Sequence, residues 1–75
     1  MFRPERAKWN GPQVKADRLL AGYTQEELAE LSGLEKVTLA IYERGEVVPS
    51  VESAVNIASV LGYYVDRYLK MEMFE

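Results

Sequence analysis

Apolar residues recur at helical spacing along most of the chain. The clearest run lies at 51–61, where Val51, Ala54, Ala58 and Leu61 follow the spacing of one helix face. Glycines follow four such runs, and a glycine after a helix adopts the left-handed conformation at no steric cost. These glycines are Gly22, Gly33, Gly45 and Gly62. No run alternates with a period of two, so the pattern predicts helices and makes strands unexpected.

The pattern predicts five short helices in one domain. They cover about 12–21, 25–32, 36–44, 51–61 and 65–71. Pro12 suits a first turn, Thr24 with Glu27 forms a capping box, and Ser50 caps the fourth helix. The fifth helix has no favourable cap. Residues 1–10 lack periodicity and are predicted to be a flexible basic arm, followed by a single domain over 11–75.

The connection between the second and third helices has the length and composition of a helix-turn-helix. It contains Gly33, which supplies the left-handed residue of the turn, and Ala29 is small enough for the helices to cross. Apolar side chains are expected to point inward from both helices and from the turn. These are Leu28, Leu34, Leu39 and Tyr42.

Several motifs at matching spacing resemble the XRE/Cro-type helix-turn-helix family over about residues 12–70. They are TQEELAELSGL at 24–34, YERG at 42–45, PS at 49–50 and ASVLG at 58–62. The resemblance implies an all-α, compact five-helix, lambda-repressor-like domain that binds double-stranded operator DNA. It also implies a homodimer on a palindrome and a prokaryotic or phage transcription regulator, with a repressor as the leading hypothesis.

The resemblance also assigns roles to individual residues. Gln25 and Arg18 approach the DNA backbone, and Arg18 pairs with Glu43. The helical wheel places Leu39 on the buried face of the third helix and directs Val37, Ala40, Ile41 and Arg44 away from the core. Lys36 lies at the N-terminal end of this helix, which reaches base edges in helix-turn-helix docking. The predicted DNA-binding residues are Thr24, Gln25, Lys36, Val37, Thr38, Ala40, Ile41 and Arg44.

The third helix departs from the family pattern at two places. Glu35 stands where Ser or Thr often caps this helix, and a carboxylate there faces the phosphates. The outward face has few hydrogen-bond donors, since Val37 and Ile41 offer only methyl groups. Base recognition is therefore expected to depend on Lys36, on Thr38 and on apolar contacts with thymine.

Charge and composition narrow the classes of function. The net charge is −3, but residues 1–18 hold five basic and two acidic residues, which gives a basic end on an acidic body. The chain has no Cys and no His, which excludes zinc fingers, disulfide scaffolds and Cys or His nucleophiles. No phosphate loop or catalytic pattern is present, so we predict a cytoplasmic non-enzyme without cofactor, metal or membrane span.

Large apolar side chains concentrate in the last thirteen residues, and residues 63–75 are a candidate dimerisation segment. The candidate interface consists of Tyr64, Tyr68, Met71, Met73 and Phe74, because Tyr and Met are enriched at interfaces. An alternative function stays open at this point. The same fold can serve as a protein-interaction module, such as an antitoxin or small regulator whose main partner is a protein.

Overall fold

A computed structural model describes residues 7–71, without the side chain of Met71. Its four α-helices are α1 (Gly11–Ala21), α2 (Gln25–Leu31), α3 (Lys36–Glu43) and α4 (Val51–Leu61). The first four predicted helices are therefore confirmed, each within one residue of its predicted bounds. Within the described residues, the helices are too short and too polar to cross a membrane.

The predicted fifth helix is wrong. A single 3-10 turn at Val65–Arg67 leads into a strand, β2 (Leu69–Met71), which pairs antiparallel with β1 (Ala7–Trp9). Residues 7–10 are thus part of the folded domain and do not belong to a flexible arm, while residues 1–6 of the predicted arm lie outside the described residues. The expectation of a chain without strands is wrong for the same reason.

Trp9 explains why the N-terminal segment folds back on the domain. Its indole Nε1 donates a hydrogen bond to the carbonyl oxygen of Tyr42 at 2.8 Å, and its ring lies 6.2 Å from the ring of Tyr68. The backbone N–H of Asn10 donates to the carbonyl oxygen of Tyr68 at 2.8 Å. These contacts hold both strands against the helices, which compensates for the low stability of an isolated two-stranded ribbon.

Side-chain caps fix where three of the helices begin. The Thr24 hydroxyl accepts from the backbone N–H of Glu27 at 3.0 Å, and the Glu27 carboxylate accepts from the Thr24 N–H at 2.8 Å. Ser50 and Asn10 accept in the same way at the starts of α4 and α1. Glu35 precedes α3 but makes no capping hydrogen bond, so this helix begins without a side-chain cap.

The core contains residues from all four helices and from the C-terminal segment. Its largest fully buried side chains are Val14, Leu28, Leu39, Ile57 and Tyr68. Burying an aliphatic side chain of this size contributes about 1.5–3 kcal/mol. Because α2 and α3 each bury a leucine in this core, packing in the core fixes the orientation of the two helices relative to each other.

Asp17 organises a polar cluster that ties the C-terminal segment to α1. Its carboxylate accepts two hydrogen bonds from Arg67, at 2.7 and 3.1 Å, and one from the Tyr68 hydroxyl at 2.6 Å. Gln13 donates a fourth at 3.0 Å. Tyr68 is 1% exposed and fully engaged inside the chain. Its predicted role in a dimer interface is therefore wrong, because it has no free surface to offer.

The Asp17 cluster predicts a specific loss of stability in acid. Hydrogen bonds from Arg67 lower the pKa of Asp17 from 3.8 to about 2, against the opposing effect of burial. Because the pKa of Asp17 is lower in the folded protein than in the unfolded chain, the ionised carboxylate stabilises the fold. This contribution is about 2 kcal/mol above about pH 4, and it is lost as the pH falls from 3.8 to about 2. We expect Asp17→Asn to remove this dependence in urea melts between pH 5 and 2. The matched control is Asp66→Asn, at an exposed carboxylate, which should leave the acid dependence unchanged.

Candidate nucleic-acid interface

The turn between α2 and α3 has the geometry of a helix-turn-helix. Gly33 adopts a φ of 73°, and the N–H of Leu34 donates to the carbonyl oxygen of Ala29 at 2.8 Å. Ala29 is 1% exposed, as expected for a small residue at a helix crossing. Leu34 and Tyr42 are half-buried and pack against the core. The turn therefore presents α3 at a fixed angle, with one face buried and the other open.

The open face of α3 carries most of the predicted DNA-binding residues. Leu39 and Glu43 are buried on the inner side, whereas Val37 is 63% exposed. Lys36 and Arg44 are also exposed, and Ala40 and Ile41 are half-buried between them. Thr38 is half-buried at the flank of this face. We call the open side formed by Lys36, Val37, Ala40, Ile41 and Arg44 the α3 face.

Glu43 links the inner side of α3 to both α1 and α2. Its carboxylate lies 2.7 Å and 3.2 Å from two nitrogens of Arg18, so the ion pair that the sequence predicts is present in the structure. The same carboxylate accepts a third hydrogen bond from Gln25 Nε2 at 3.0 Å. Arg18 also donates to the Tyr23 carbonyl oxygen at 3.0 Å. Glu43 therefore fixes the side chain of Gln25 at the start of α2.

A surface groove runs beside the α3 face, between α1, α2 and the end of α3. Its volume is about 480 Å³, and its lining residues are Pro12, Lys15, Gln25, Ala40, Glu43 and Arg44. Lys15 and Arg44 supply cations at this groove. Arg44 pairs with Glu46 at 2.6 Å, but both side chains are more than half exposed, so this ion pair contributes little to stability.

The remaining predicted site residues are distributed as follows. Thr24 is exposed and uses its hydroxyl oxygen as the N-cap of α2, which leaves the O–H free to donate. Tyr64 is 88% exposed. Met71 ends β2, while Met73 and Phe74 lie outside the described residues.

Two residues of structural importance were not found from the sequence. Gly11 is buried and packs directly on the backbone of Tyr42 and Glu43 at the end of α3. In the sequence, Asp17 was considered only as one of the two acidic residues of 1–18, although its carboxylate accepts the hydrogen bonds of a buried cluster. The glycine before Pro12 could have indicated this close approach, because neither the N-cap residue Asn10 nor the first turn of α1 requires a glycine at position 11. Asp17 gave no comparable signal, because its partners come from the other end of the chain.

Comparisons with known proteins agree with this geometry. A helix-turn-helix family model matches residues 14–67. YgzD, an uncharacterised HTH-type transcriptional regulator of Bacillus subtilis, is 33% identical over 60 residues, which are 80% of this chain and 91% of YgzD. These findings favour a transcription regulator over a protein-interaction module.

Solved structures show the same fold. The clp gene regulator ClgR of Corynebacterium glutamicum superposes with a TM-score of 0.72 and 32% identity over 76% of this chain, which spans 61% of the ClgR chain. The P22 c2 repressor, in complex with a synthetic operator, gives a TM-score of 0.74 at 24% identity, over 79% of this chain and 89% of the repressor. The chain belongs to the XRE-type helix-turn-helix family of DNA-binding transcription regulators.

Proposed function

We propose that the protein is a repressor that binds a palindromic operator as a homodimer and inserts α3 into the major groove. The observation that carries this proposal is the division of α3 into two sides. Leu39 and Glu43 anchor the inner side, and the α3 face stays open with Val37 63% exposed. A helix anchored in this way presents side chains to DNA without further ordering, which limits the entropic cost of binding.

The chemistry of the α3 face predicts how bases are read. Lys36 lies at the N-terminal end of α3, which is the end that reaches base edges in this docking mode. Its ammonium group can donate to guanine O6 and N7, and Thr38 can donate from the flank. Val37 and Ile41 contact the methyl group of thymine. We therefore expect half-sites that contain both a guanine and thymines.

Backbone contacts are assigned to the residues that surround the groove. Gln25 donates one N–H to Glu43 at 3.0 Å, so its second N–H is free for a phosphate oxygen. Thr24 directly precedes Gln25 and supplies a hydroxyl, and Arg44 lines the groove and supplies a guanidinium. These contacts position α3 on the duplex and carry no sequence information themselves.

Dimerisation is proposed through the C-terminal segment at 63–75. Tyr64 is 88% exposed and Tyr63 is 44% exposed, so two large aromatic side chains lie at the surface beyond α4. Tyr68 is excluded from this interface by its contact with Asp17. A two-fold dimer would use the same surface on both copies and would match the symmetry of a palindrome.

Selection of sites from a pool of random duplexes tests the proposal directly. We expect the purified protein to enrich a palindrome whose half-sites are about one helical turn apart. Sedimentation of the complex on that site should give two chains per duplex. The absence of any enriched sequence would contradict the function, and one chain on a single half-site would contradict the dimer.

Lys36→Ala tests the assigned base contact. We expect it to cost about 1–3 kcal/mol of binding free energy and to relax the preference at one base pair of each half-site. The control is Arg44→Ala, which removes a phosphate contact and should weaken binding equally on all site variants. Gel shifts on a set of single-base variants measure both effects. A uniform loss for Lys36→Ala would assign that lysine to a phosphate.

A further inference from the structure

The two strands place two lysines side by side at the surface. Lys8 of β1 lies directly opposite Lys70 of β2, and both are exposed. The neighbouring pair, Trp9 and Leu69, points to the other face, where Leu69 is buried and Trp9 is half-buried against the core. Because residues directly opposite in a ribbon share a face, both ammonium groups point away from the core. We call this surface the lysine ribbon.

The lysine ribbon is electrostatically unfavourable in the free protein. Like charges directly opposite in an antiparallel pair destabilise the ribbon, and a two-stranded ribbon has little stability of its own. An anion bound between the two ammonium groups converts this repulsion into attraction. Although the whole chain has a net charge of −3, Lys8 belongs to the basic end at 1–18, and together with Lys70 it forms a local positive patch.

The ribbon is joined directly to the end of α3. Trp9, next to Lys8, donates to the Tyr42 carbonyl oxygen at 2.8 Å. Two residues further on, Gly11 packs on the backbone of Tyr42 and Glu43. A second cleft of about 250 Å³ lies at the ribbon, and Lys8, Trp9, Arg67 and Lys70 are among its lining residues. Asn10 lines this cleft and Pro12 lines the groove beside α3, so residues close together in the sequence contribute to both.

We propose that the lysine ribbon binds backbone phosphates of the DNA that flanks the bases contacted by α3. Its location beside α3 gives it this role within the proposed function, but its chemistry requires only a duplex backbone. A compact point charge on a flexible stem suits a phosphate, and two such charges on one face can each contact a phosphate oxygen. The ribbon thereby adds two sequence-independent contacts to each chain.

The test is the salt dependence of binding by Lys8→Gln/Lys70→Gln. Each lost phosphate contact reduces the magnitude of the slope of log K against log salt by about 0.9, so the double variant should lose about 1.8 per bound chain, or about 3.6 for a bound homodimer. We expect its affinity to fall at least about tenfold near 0.1 M salt while its base preference stays unchanged. The control, Asn56→Asp/Ser59→Asp, makes the same change in net charge at exposed positions of α4. This control variant should keep most of the salt dependence that the parent protein shows.

Measurements on a random-sequence duplex separate this proposal from the proposed function. One outcome supports the ribbon and contradicts the operator function: the parent protein selects no operator, and replacing both lysines reduces the magnitude of the slope on random duplex by about 1.8 per bound chain. Equal slopes for the double variant and the parent, or equal losses in the control, overturn the ribbon proposal. Loss of self-association with an unchanged DNA slope also overturns it, because the ribbon then contacts a second copy.

Two further measurements test whether the loss of binding arises at the ribbon itself. Trp9 is the single tryptophan of the chain, so its fluorescence reports on the ribbon itself. We expect duplex DNA to change its emission in the parent protein and to change it much less in the double variant. The single variants Lys8→Gln and Lys70→Gln should each reduce the magnitude of the slope by about 0.9 per bound chain. A loss confined to one of them would overturn the shared site.

Discussion

Gly11→Ala is expected to lower the free energy of unfolding by about 3 kcal/mol, which is the upper range for forcing one extra carbon into a packed site. An added Cβ would overlap the carbonyl oxygen of Tyr42 and would lie 2.8 Å from the carbonyl oxygen of Glu43. Both obstacles are backbone atoms, so no side chain can rotate away to relieve the clash. The start of α1 must instead move away from the end of α3. Thermal melting should record a midpoint lower by roughly 12–24 °C.

Gly62→Ala provides the comparison. Gly62 has a φ of 88° and nothing within 4 Å of an added Cβ, so alanine there costs only the left-handed conformation, about 1–2 kcal/mol. Gly11→Ala should therefore destabilise the protein more than Gly62→Ala, although alanine favours a helix at position 11. A melting curve for Gly11→Ala equal to that of the parent would mean that α1 and α3 do not approach as closely as described.

Local rules were sufficient for the helices. The capping box of Thr24 and Glu27, the serine cap at Ser50 and the left-handed glycines act within a few residues, so their consequences follow from the sequence alone. The α4 bounds were predicted without error because a cap, a regular apolar face and a terminal glycine agree there. The helix-turn-helix was predictable for the same reason, since each of its requirements involves near neighbours.

The terminal strands depend on contacts between the two ends of the chain. Each strand has three residues, which is too short for alternation to be visible. At 65–71 the apolar content favoured a helix, but Tyr68 is held by Asp17 and Leu69 is paired with Trp9. Tertiary contacts therefore overrode a local preference that had no cap to support it. Because these contacts bury Tyr68, its side chain is not available for the predicted dimer interface.

The candidate site shows a similar division. The wheel of α3 correctly separated the buried Leu39 from the exposed Val37 and Arg44. The sequence did not reveal that Gln25 shares the carboxylate of Glu43 with Arg18, since the amide and the carboxylate lie on different helices. This link makes a buried ion pair part of the proposed DNA surface. The contributions of the pair to stability and to binding can be separated by substitution.

Glu43→Leu is expected to destabilise the fold by about 3–5 kcal/mol, because it leaves the guanidinium of Arg18 buried without its counter-charge. Glu43 and Arg18 are 4% and 7% exposed, so water cannot replace the lost contacts without local opening. Replacing both partners, in Arg18→Met/Glu43→Leu, removes the uncompensated charge and fills a similar volume. We expect the double variant to regain stability to within about 1 kcal/mol of the parent. Urea melts measure both values, and with the single variant Arg18→Met they give the coupling energy of the pair.

DNA binding should not recover together with stability. In the double variant Gln25 Nε2 has lost the oxygen that it contacts at 3.0 Å in the parent, so its amide is free to rotate away from the proposed phosphate contact. Losing the fixed orientation of the Gln25 amide is expected to cost about 1 kcal/mol of binding free energy, which lowers the affinity about fivefold. Gln25→Ala should accordingly weaken binding in the parent background and have little further effect in the double variant. A stable double variant with full affinity would show that Glu43 serves the fold alone, and that Gln25 reaches the DNA without it.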